Sequence, residues 1–171
     1  MGRMQLYLLR HGLAVERGER GFADDAARPL TAKGRRQLRK AAPAINALTG
    51  RLDLILSSPC LRAKQTAEIV ARKLKMKKQL KFSNALAPGG SARHLLRQLS
   101  REKPRPAKIL LVGHEPDLSR LTSLLTCGDA DLQLDFKKAG LCKLEADKLR
   151  AGKCASLCWL LTPKQVRMVL T

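Results

Sequence analysis

Three short apolar segments, each about as long as a β-strand, place the strongest constraint on the fold of this chain. They cover residues 5–9, 53–56 and 108–112, and nearly every position in them is apolar. Near-continuous apolar strands are typical of parallel sheets that are covered by helices on both faces. Helical patterns separate and follow them, at residues 31–42, 61–74, 93–99 and 118–125. This alternation predicts an α/β fold with a mostly parallel central sheet.

Further elements are expected after the third apolar segment. Residues 140–145 and 155–161 are predicted strands, and residues 163–170 are a predicted short helix with a proline at its start. We expect Thr31 and Asp117 to cap helices, and Pro43 to end or kink the helix over 31–42. No repeat or flexible linker divides the chain, so we predict a single domain over residues 1–171 with three α/β/α layers.

Cysteine usage and hydropathy indicate the cellular compartment of this chain. No apolar run approaches the ~20 residues of a membrane span, and the apolar stretch that ends before Arg10 is too short for a signal peptide. The five cysteines form no CxxC pair and no paired zinc spacing, and their odd number argues against a disulfide framework. We therefore expect a cytoplasmic protein, with no metal and no cofactor.

The charge balance is strongly basic. The chain has 34 Lys and Arg against 14 Asp and Glu, a formal net charge of +20, which favours polyanionic partners. It has only five aromatic residues on which nucleic acid bases could stack, and its cations are spread along the whole chain. We interpret the charge as a solvated basic surface. Residues 72–81 (RKLKMKKQLK) are interpreted as a solvated helix end, with a docking face for an acidic partner as the alternative.

Two histidines follow two of the apolar segments directly. His11 comes after the first segment and His114 after the third, each next to a glycine. Ligands of open α/β sheets bind beyond the carboxyl ends of the strands. Arg10 precedes His11, and Arg62 lies one turn into the helix that follows residues 57–59. Because guanidinium groups grip phosphate oxygens in a planar fork, these residues predict a phosphate pocket with a histidine nucleophile.

Other polar residues receive plainer interpretations. The long loop at residues 16–30 carries Asp24 and Asp25, which we interpret as solvated, with the alternative that a mobile loop brings one of them over the site. His94 is interpreted as a surface residue of a helix. Cys60 lies near the predicted pocket without a base beside it, and we interpret it as a packing residue.

Five segments in order along the chain carry a resemblance to a known family. They read LYLLRHGLA, RPLTAKG, SSPCLRAKQTA, VGHEPDLS and WLLTPK, at residues 6–14, 28–34, 57–67, 112–119 and 159–164. The first contains the RHG motif of the histidine phosphatase superfamily, and the set resembles the SixA group of phosphohistidine phosphatases within it. The resemblance implies a phosphoglycerate mutase-like fold and a metal-independent phosphatase.

The resemblance also assigns roles to the predicted pocket. His11 matches the nucleophile, which the family phosphorylates on nitrogen and then hydrolyses, while Arg10, Arg62 and His114 match the residues that hold the phosphoryl group. A nucleophilic histidine must be neutral, and its second ring nitrogen needs an acceptor such as a backbone carbonyl. Cationic donors then stabilise the charge on the three equatorial phosphoryl oxygens.

The chain departs from the wider family at the general acid. Many members place a glutamate after the second helix, where residues 83–90 (SNALAPGG) hold no acid. The SixA group likewise lacks it, which favours that group, since a phosphohistidine P–N bond asks less of a proton donor than an ester does. The acid phosphatase branch uses an aspartate just after its second histidine. Glu115 occupies that position here and is a candidate proton donor.

The implied substrate is phosphohistidine on a protein, such as the phosphotransfer domain of a signalling kinase, and we expect the phosphatase to be a monomer that does not bind membranes or nucleic acid. Three alternatives remain open at this point: a broad-specificity or small-molecule phosphomonoesterase, a basic nucleic-acid-binding protein on this scaffold, and a catalytically silent module that binds phosphoproteins.

Overall fold

A six-stranded mixed sheet forms the centre of the fold. The computed structural model describes residues 3–19, 21–129 and 131–170; residues 1, 2, 20, 130 and 171 of the predicted domain lie outside these ranges. The strands, in chain order, are β1 (Met4–Arg10), β2 (Leu54–Ser57), β3 (Leu80–Phe82), β4 (Lys108–Gly113), β5 (Leu141–Ala146) and β6 (Ala155–Leu161). Their order across the sheet is β3-β2-β4-β1-β5-β6. The first three pairs are parallel, and β5 is antiparallel to both of its neighbours.

Five α-helices within the described residues cover both faces of this sheet. They are α1 (Ala32–Thr49), α2 (Leu61–Lys73), α3 (Ala92–Arg101), α4 (Asp117–Thr126) and α5 (Pro163–Met168). Successive strand side chains point to opposite faces. Tyr7 and Leu9 pack with residues of α1, α2 and α5, whereas Leu6 and Leu8 pack with residues of α3 and α4. The arrangement confirms the predicted three-layer α/β/α fold with a mostly parallel sheet.

Helix α1 runs through Pro43. Of the two predicted outcomes, an end or a kink at this proline, the end is wrong. A proline inside a helix removes one backbone hydrogen bond. The residues on either side, Ala42, Ala44 and Ile45, are completely buried. Their burial keeps the chain helical as far as Gly50, which ends the helix with a positive φ of 61°. The predicted cap at the other end is confirmed, because the Thr31 hydroxyl accepts a hydrogen bond from Gly34 N at 3.0 Å.

The predicted cap of α4 is wrong. Pro116 occupies the capping position, and Asp117 is the first residue of the helix. The Asp117 carboxylate instead accepts a hydrogen bond from Gly89 N at 2.9 Å, which ties the loop before α3 to the start of α4. Asp117 still lies in the first turn, where a negative charge stabilises a helix.

The basic segment at residues 72–81 is not a helix end beyond Lys73. Lys75 adopts a left-handed conformation with φ at 57°, a single-turn 3₁₀ helix covers Lys77–Gln79, and the chain then enters the edge strand β3. A strand of three residues offers too short an alternation of apolar and polar residues to be recognised in the sequence. The segment therefore wraps around one corner of the sheet.

Among the residues described, no helix combines the length and the apolar character that crossing a bilayer requires.

The sheet order brings the polar strand ends together. β4 lies between β2 and β1 and is parallel to both, with Gly113 beside Arg10 and Val112 beside Ser57. The residues that follow the three strands, His11, Ser58 and His114, therefore meet at one edge of the sheet.

Candidate active site

His11 lies at the end of β1 as a buried, neutral ring. Its Nδ1 is 2.7 Å from the carbonyl oxygen of Gly12, and its Nε2 is 3.3 Å from Nε of Arg62. A guanidinium nitrogen can only donate, so Nε2 is the acceptor and the ring proton lies on Nδ1. Burial lowers the pKa of His11 to about 3, and the nearby cationic residues add to this effect. The ring thus keeps a nitrogen lone pair for attack on phosphorus at neutral pH.

The backbone after His11 is held closely by neighbouring elements. Gly12 N donates to the hydroxyl of Thr66 at 3.1 Å, and that hydroxyl donates to the Arg62 carbonyl at 2.7 Å. At Gly34, a Cβ atom would lie 2.2 Å from the carbonyl oxygen of Leu13, a distance that no side chain tolerates. The glycine near the start of α1 therefore allows the helix to pack directly on the loop that carries the nucleophile.

Arg62 is the most extensively bonded side chain of the site. It lies in the first turn of α2 and is only 3% exposed. Besides the bond to His11, one terminal nitrogen donates to the backbone carbonyl of Asp25 at 2.6 Å, and the other donates to the Asp25 carboxylate at 2.9 Å. A buried cation needs such a partner to offset its lost hydration.

Asp25 joins the site from the long loop after β1. Its carboxylate also pairs with Arg28 at 2.7 Å and with Arg17 at 3.1 Å. Burial alone would raise the pKa of Asp25, but the hydrogen bonds and charges of the three arginines more than offset this effect and lower it to about 2. The interpretation of Asp25 as solvated is wrong, and the alternative that this loop brings one aspartate to the site is confirmed. Asp24 is exposed and caps Ala26 N, as expected of a loop residue.

His114 faces His11 across the site. The two ring centroids are 5.1 Å apart, and His114 is 2% exposed. Its Nε2 lies 2.8 Å from the hydroxyl oxygen of Ser58, which also accepts a hydrogen bond from Cys60 N at 3.2 Å. Burial, followed by the charge of Arg62, lowers the pKa of His114 to about 4. Ser58 thus orients this histidine, a role for its hydroxyl that no local sequence pattern indicates.

Two buried nitrogen atoms at the site have no hydrogen-bond partner within the described protein: Nδ1 of His114 and Nε of Arg10. Nearly all buried polar groups in proteins are hydrogen-bonded, so such pairs of atoms mark a place for a polar ligand. Arg10 is otherwise fixed by a hydrogen bond of 2.6 Å from a terminal nitrogen to the carbonyl of Phe136. The arginines and histidines together suit a tetrahedral oxyanion.

Glu115 follows His114 and is half-buried. Its carboxylate accepts hydrogen bonds from the amide and the hydroxyl of Ser119, at 3.1 and 2.5 Å. Burial raises the pKa of Glu115, and the Ser119 bonds oppose this shift. Within the described structure, neither oxygen is hydrogen-bonded to the two histidines or to Arg62, so its role as a proton donor stays a prediction.

The remaining sequence interpretations concern residues away from this centre. Cys60 is buried at the N-terminal end of α2, and His94 is exposed on α3, in agreement with their interpretations. All five cysteines are free thiols. No group of three or more His, Cys, Asp or Glu side chains in the part of the chain described could hold a metal ion.

Comparisons with known proteins identify the class to which this fold and site belong. Residues 6–87 match the model of the histidine phosphatase superfamily (branch 1). An uncharacterized protein of Picosynechococcus sp. (strain ATCC 27264 / PCC 7002 / PR-6) is 38% identical over 164 residues, covering 94% of this chain and 98% of that protein. The phosphohistidine phosphatase SixA of Escherichia coli (strain K12) is 27% identical over 168 residues, covering 96% of this chain and 98% of the relative.

A solved structure agrees with these relatives. The protein histidine phosphatase SixA complexed with tungstate superimposes with a TM-score of 0.79 at 26% identity, covering 94% of this chain and 98% of that chain. The chain belongs to the histidine phosphatase superfamily, and it is similar to the SixA proteins within it. Membership in this superfamily implies phosphatase activity.

Replacing the Asp25 carboxylate by an amide is expected to tighten oxyanion binding. Asp25→Asn removes a negative charge beside Arg62 and keeps one oxygen, which still accepts from Arg17 and Arg28, while the bond from the Arg62 terminal nitrogen to the carboxylate is lost. We expect the affinity for orthovanadate, measured as inhibition of aryl phosphate hydrolysis, to rise on the order of 3- to 10-fold, or about 1 kcal/mol. The matched control is Asp24→Asn, which changes the same charge one residue away without touching Arg62. Weaker binding in Asp25→Asn would instead assign the aspartate the role of positioning Arg62.

The two buried histidines are expected to make stability depend on pH. Because their folded-state pKa values are lowered to about 3 and about 4, only the unfolded chain takes up their protons between about pH 6.5 and pH 4. Stability present above pH 6.5 is therefore lost as the pH falls, by roughly 2 kcal/mol for each histidine from about pH 7 to pH 5.

Urea unfolding at both pH values measures this loss. Between pH 7 and pH 5, the free energy of unfolding of the variant His11→Asn is expected to fall by roughly 2 kcal/mol less than that of the parent, because one of the two buried histidines is gone. An equal loss in parent and variant would show that His11 is protonated in the folded protein.

Proposed function

We propose that this phosphatase hydrolyses phosphohistidine on a protein through a covalent intermediate on His11. The observation that carries the proposal is the neutral His11 ring, whose Nδ1 is bonded to the Gly12 carbonyl and whose Nε2 faces Arg62. The similarity to SixA proteins along nearly the whole chain supports the choice of phosphohistidine.

The first step is an in-line attack of His11 Nε2 on phosphorus. A bond between phosphorus and Nε2 forms while the bond between phosphorus and the nitrogen of the substrate breaks. The substrate ring carries a proton on its other nitrogen, so the electron pair of the broken bond stays on the substrate nitrogen and the ring departs as neutral imidazole. Water then attacks phosphorus, the bond to Nε2 breaks, and orthophosphate leaves with His11 restored to its neutral form.

Three side chains would stabilise the charge that moves onto the phosphoryl oxygens. Arg62 contributes a guanidinium already beside Nε2, Arg10 contributes its unpartnered Nε, and His114 contributes its unpartnered Nδ1. Arrival of a phosphate dianion favours the protonated form of His114, because a nearby negative charge raises the pKa of an imidazole. Loss of one such donor costs on the order of 10²–10³ in rate.

The leaving group separates phosphohistidine from an ester in this site. An alkoxide needs a proton as it departs, whereas a phosphohistidine ring that is protonated on its other nitrogen departs as neutral imidazole, a much weaker base, and needs no further proton donor. The segment at residues 83–90 supplies no carboxylate. A site of this composition is therefore better suited to P–N than to P–O cleavage. We further propose a cytoplasmic location, since the free thiols of all five cysteines fit a reducing compartment. We also propose that the protein is a monomer.

A cavity beside His114 favours a second candidate, a small-molecule phosphomonoesterase. It has a volume of about 310 Å³ and is bounded by His114, by the glycines at 89 and 90, and by Leu118 and Leu121 of α4. A volume of that size lies at the lower end of the range of small-ligand sites. This cavity could hold the organic part of a phosphate ester.

The assay that separates these candidates compares two substrates. Phosphate release is measured from a histidine-phosphorylated phosphotransfer domain and from an aryl phosphate, in the parent, in His11→Ala and in His94→Ala. We expect fast release from the phosphoprotein, slow release from the ester, no activity in His11→Ala, and rates within two-fold of the parent in His94→Ala, because His94 is exposed on α3. Fast ester hydrolysis with an inert phosphoprotein would select the small-molecule candidate.

We also propose that Glu115 donates the proton to the leaving group when an ester is hydrolysed. If it donates a proton, Glu115→Gln lowers ester turnover and removes the alkaline limb of the pH–rate profile, since the amide has no proton to lose there. The matched control is Glu16→Gln, the same substitution at an exposed carboxylate that does not line the cavity beside His114. A profile identical to that of the parent would exclude Glu115 as the donor.

A further inference from the structure

A large cavity lies at the amino ends of the parallel strands, opposite the end that carries the candidate active site. It is formed by the connections that precede β2, β3 and β4, and its volume is about 890 Å³. His11 and His114 follow the other ends of their strands. The six residues of β4 span about 20 Å. A ligand in this cavity would therefore leave the catalytic pocket free.

The cavity is strongly cationic. Six cationic side chains and two carboxylates line it, and the cations are Arg51, Lys75, Lys78, Lys81, Lys103 and Arg105. Both carboxylates are already occupied: Asp53 accepts hydrogen bonds from the amides of Ala107 and Lys108, and Glu102 pairs with Lys81 at 2.6 Å. Within the described residues, the other five cations have no ion-pair partner.

The positive charge continues into a second cavity between α1 and α2. This cavity has a volume of about 620 Å³ and contains one carboxylate, Glu68. Lys75 lines both cavities, at the point where the left-handed backbone turns the chain out of α2. Four further cations line the second cavity: Arg35, Arg39, Arg72 and Lys73. We call these two cavities, which share Lys75 and are lined by ten cationic side chains in all, the basic track.

We propose that the basic track binds a linear chain of phosphate groups, of the kind found in inorganic polyphosphate. Unpaired like charges that converge in a concave site repel one another and destabilise the fold unless a dense anion joins them. An acidic polypeptide in extended form presents one charge on a given face every ~6.6 Å, whereas a single phosphodiester strand carries one every ~3.4 Å. Ten cationic side chains against three carboxylates line the two cavities, and this excess of positive charge favours the anion with the denser charge, a phosphate chain.

The lining of the track also argues against recognition of nucleic acid bases. No aromatic side chain among the described residues lines either cavity. Proteins that bind single-stranded nucleic acid stack bases on aromatic rings. A lining rich in lysine and arginine, with polar and aliphatic side chains between them, suits recognition of the phosphate chain itself.

The test measures binding of inorganic polyphosphate to the full chain at several salt concentrations. Orthophosphate is present in excess to fill the catalytic pocket. The track variant carries Lys78→Glu, Lys103→Glu and Arg105→Glu. The matched control carries Lys148→Glu, Lys153→Glu and Lys164→Glu, which are exposed, line neither cavity and produce the same change in net charge. Thermal unfolding checks both variants, and glutamine replaces glutamate wherever a variant does not fold.

We expect the track variant to lose at least ten-fold in polyphosphate affinity and the control to lose less than three-fold. The slope of log affinity against log salt should fall by about two in the track variant, at ~0.7 for each phosphate that the protein no longer neutralises. Turnover of an aryl phosphate should be unchanged in the track variant, so this result is distinguishable from a failure of the proposed catalytic function.

Three results would overturn the proposal. Equal losses in the two triple variants would show that net charge alone attracts the polyanion. Displacement of bound polyphosphate by orthophosphate would place it in the catalytic pocket. Equal or tighter binding of a single-stranded oligonucleotide or of polyglutamate, at matched charge, would assign the track to nucleic acid or to an acidic protein.

Discussion

The burial of His11 as a neutral ring between a carbonyl and a guanidinium is the constraint on which the rest of the site depends. A histidine exposed to water is largely protonated below pH 6.5 and cannot attack phosphorus in that form. Here the Gly12 carbonyl holds the proton on Nδ1, and Arg62 lies beside Nε2. The order β2-β4-β1 in the sheet is what brings Arg62 and His114 close to a ring that follows β1.

Burying Arg62 creates a second requirement, which the long loop after β1 meets. The loop folds back so that Asp25 bonds both terminal nitrogens of Arg62, and Arg17 and Arg28 share the same carboxylate. The cationic pocket thus contains its own anion. The same carboxylate that positions Arg62 also occupies a guanidinium nitrogen that an oxyanion would use.

Charge is distributed differently at the two edges of the sheet. At the carboxyl ends of the strands, Arg62 is buried and Arg10 is half-buried, and hydrogen bonds hold both side chains. At the amino ends, the lysines and arginines of the first cavity are exposed and, apart from Lys81, have no ion-pair partner among the described residues, and further cations line the second cavity between α1 and α2. The first arrangement suits a single reacting phosphoryl group, and the second suits many phosphates held loosely. Ten of the 34 Lys and Arg residues of the chain line these two cavities, although the basic residues are spread along the whole sequence.

The sequence by itself determined the layers of the fold and four residues of the pocket. Apolar strands and amphipathic helices follow periodic patterns, and His11, His114, Arg10 and Arg62 lie at the ends or starts of those elements. Only the tertiary structure decided the continuation of α1 past Pro43, the edge strand β3, the placement of Asp25 and Ser58, and the basic track. These features depend on contacts between residues far apart in the chain, such as Asp25 and Arg62, which are 37 positions apart. Burial and charge pairing, which no local periodicity records, select those contacts.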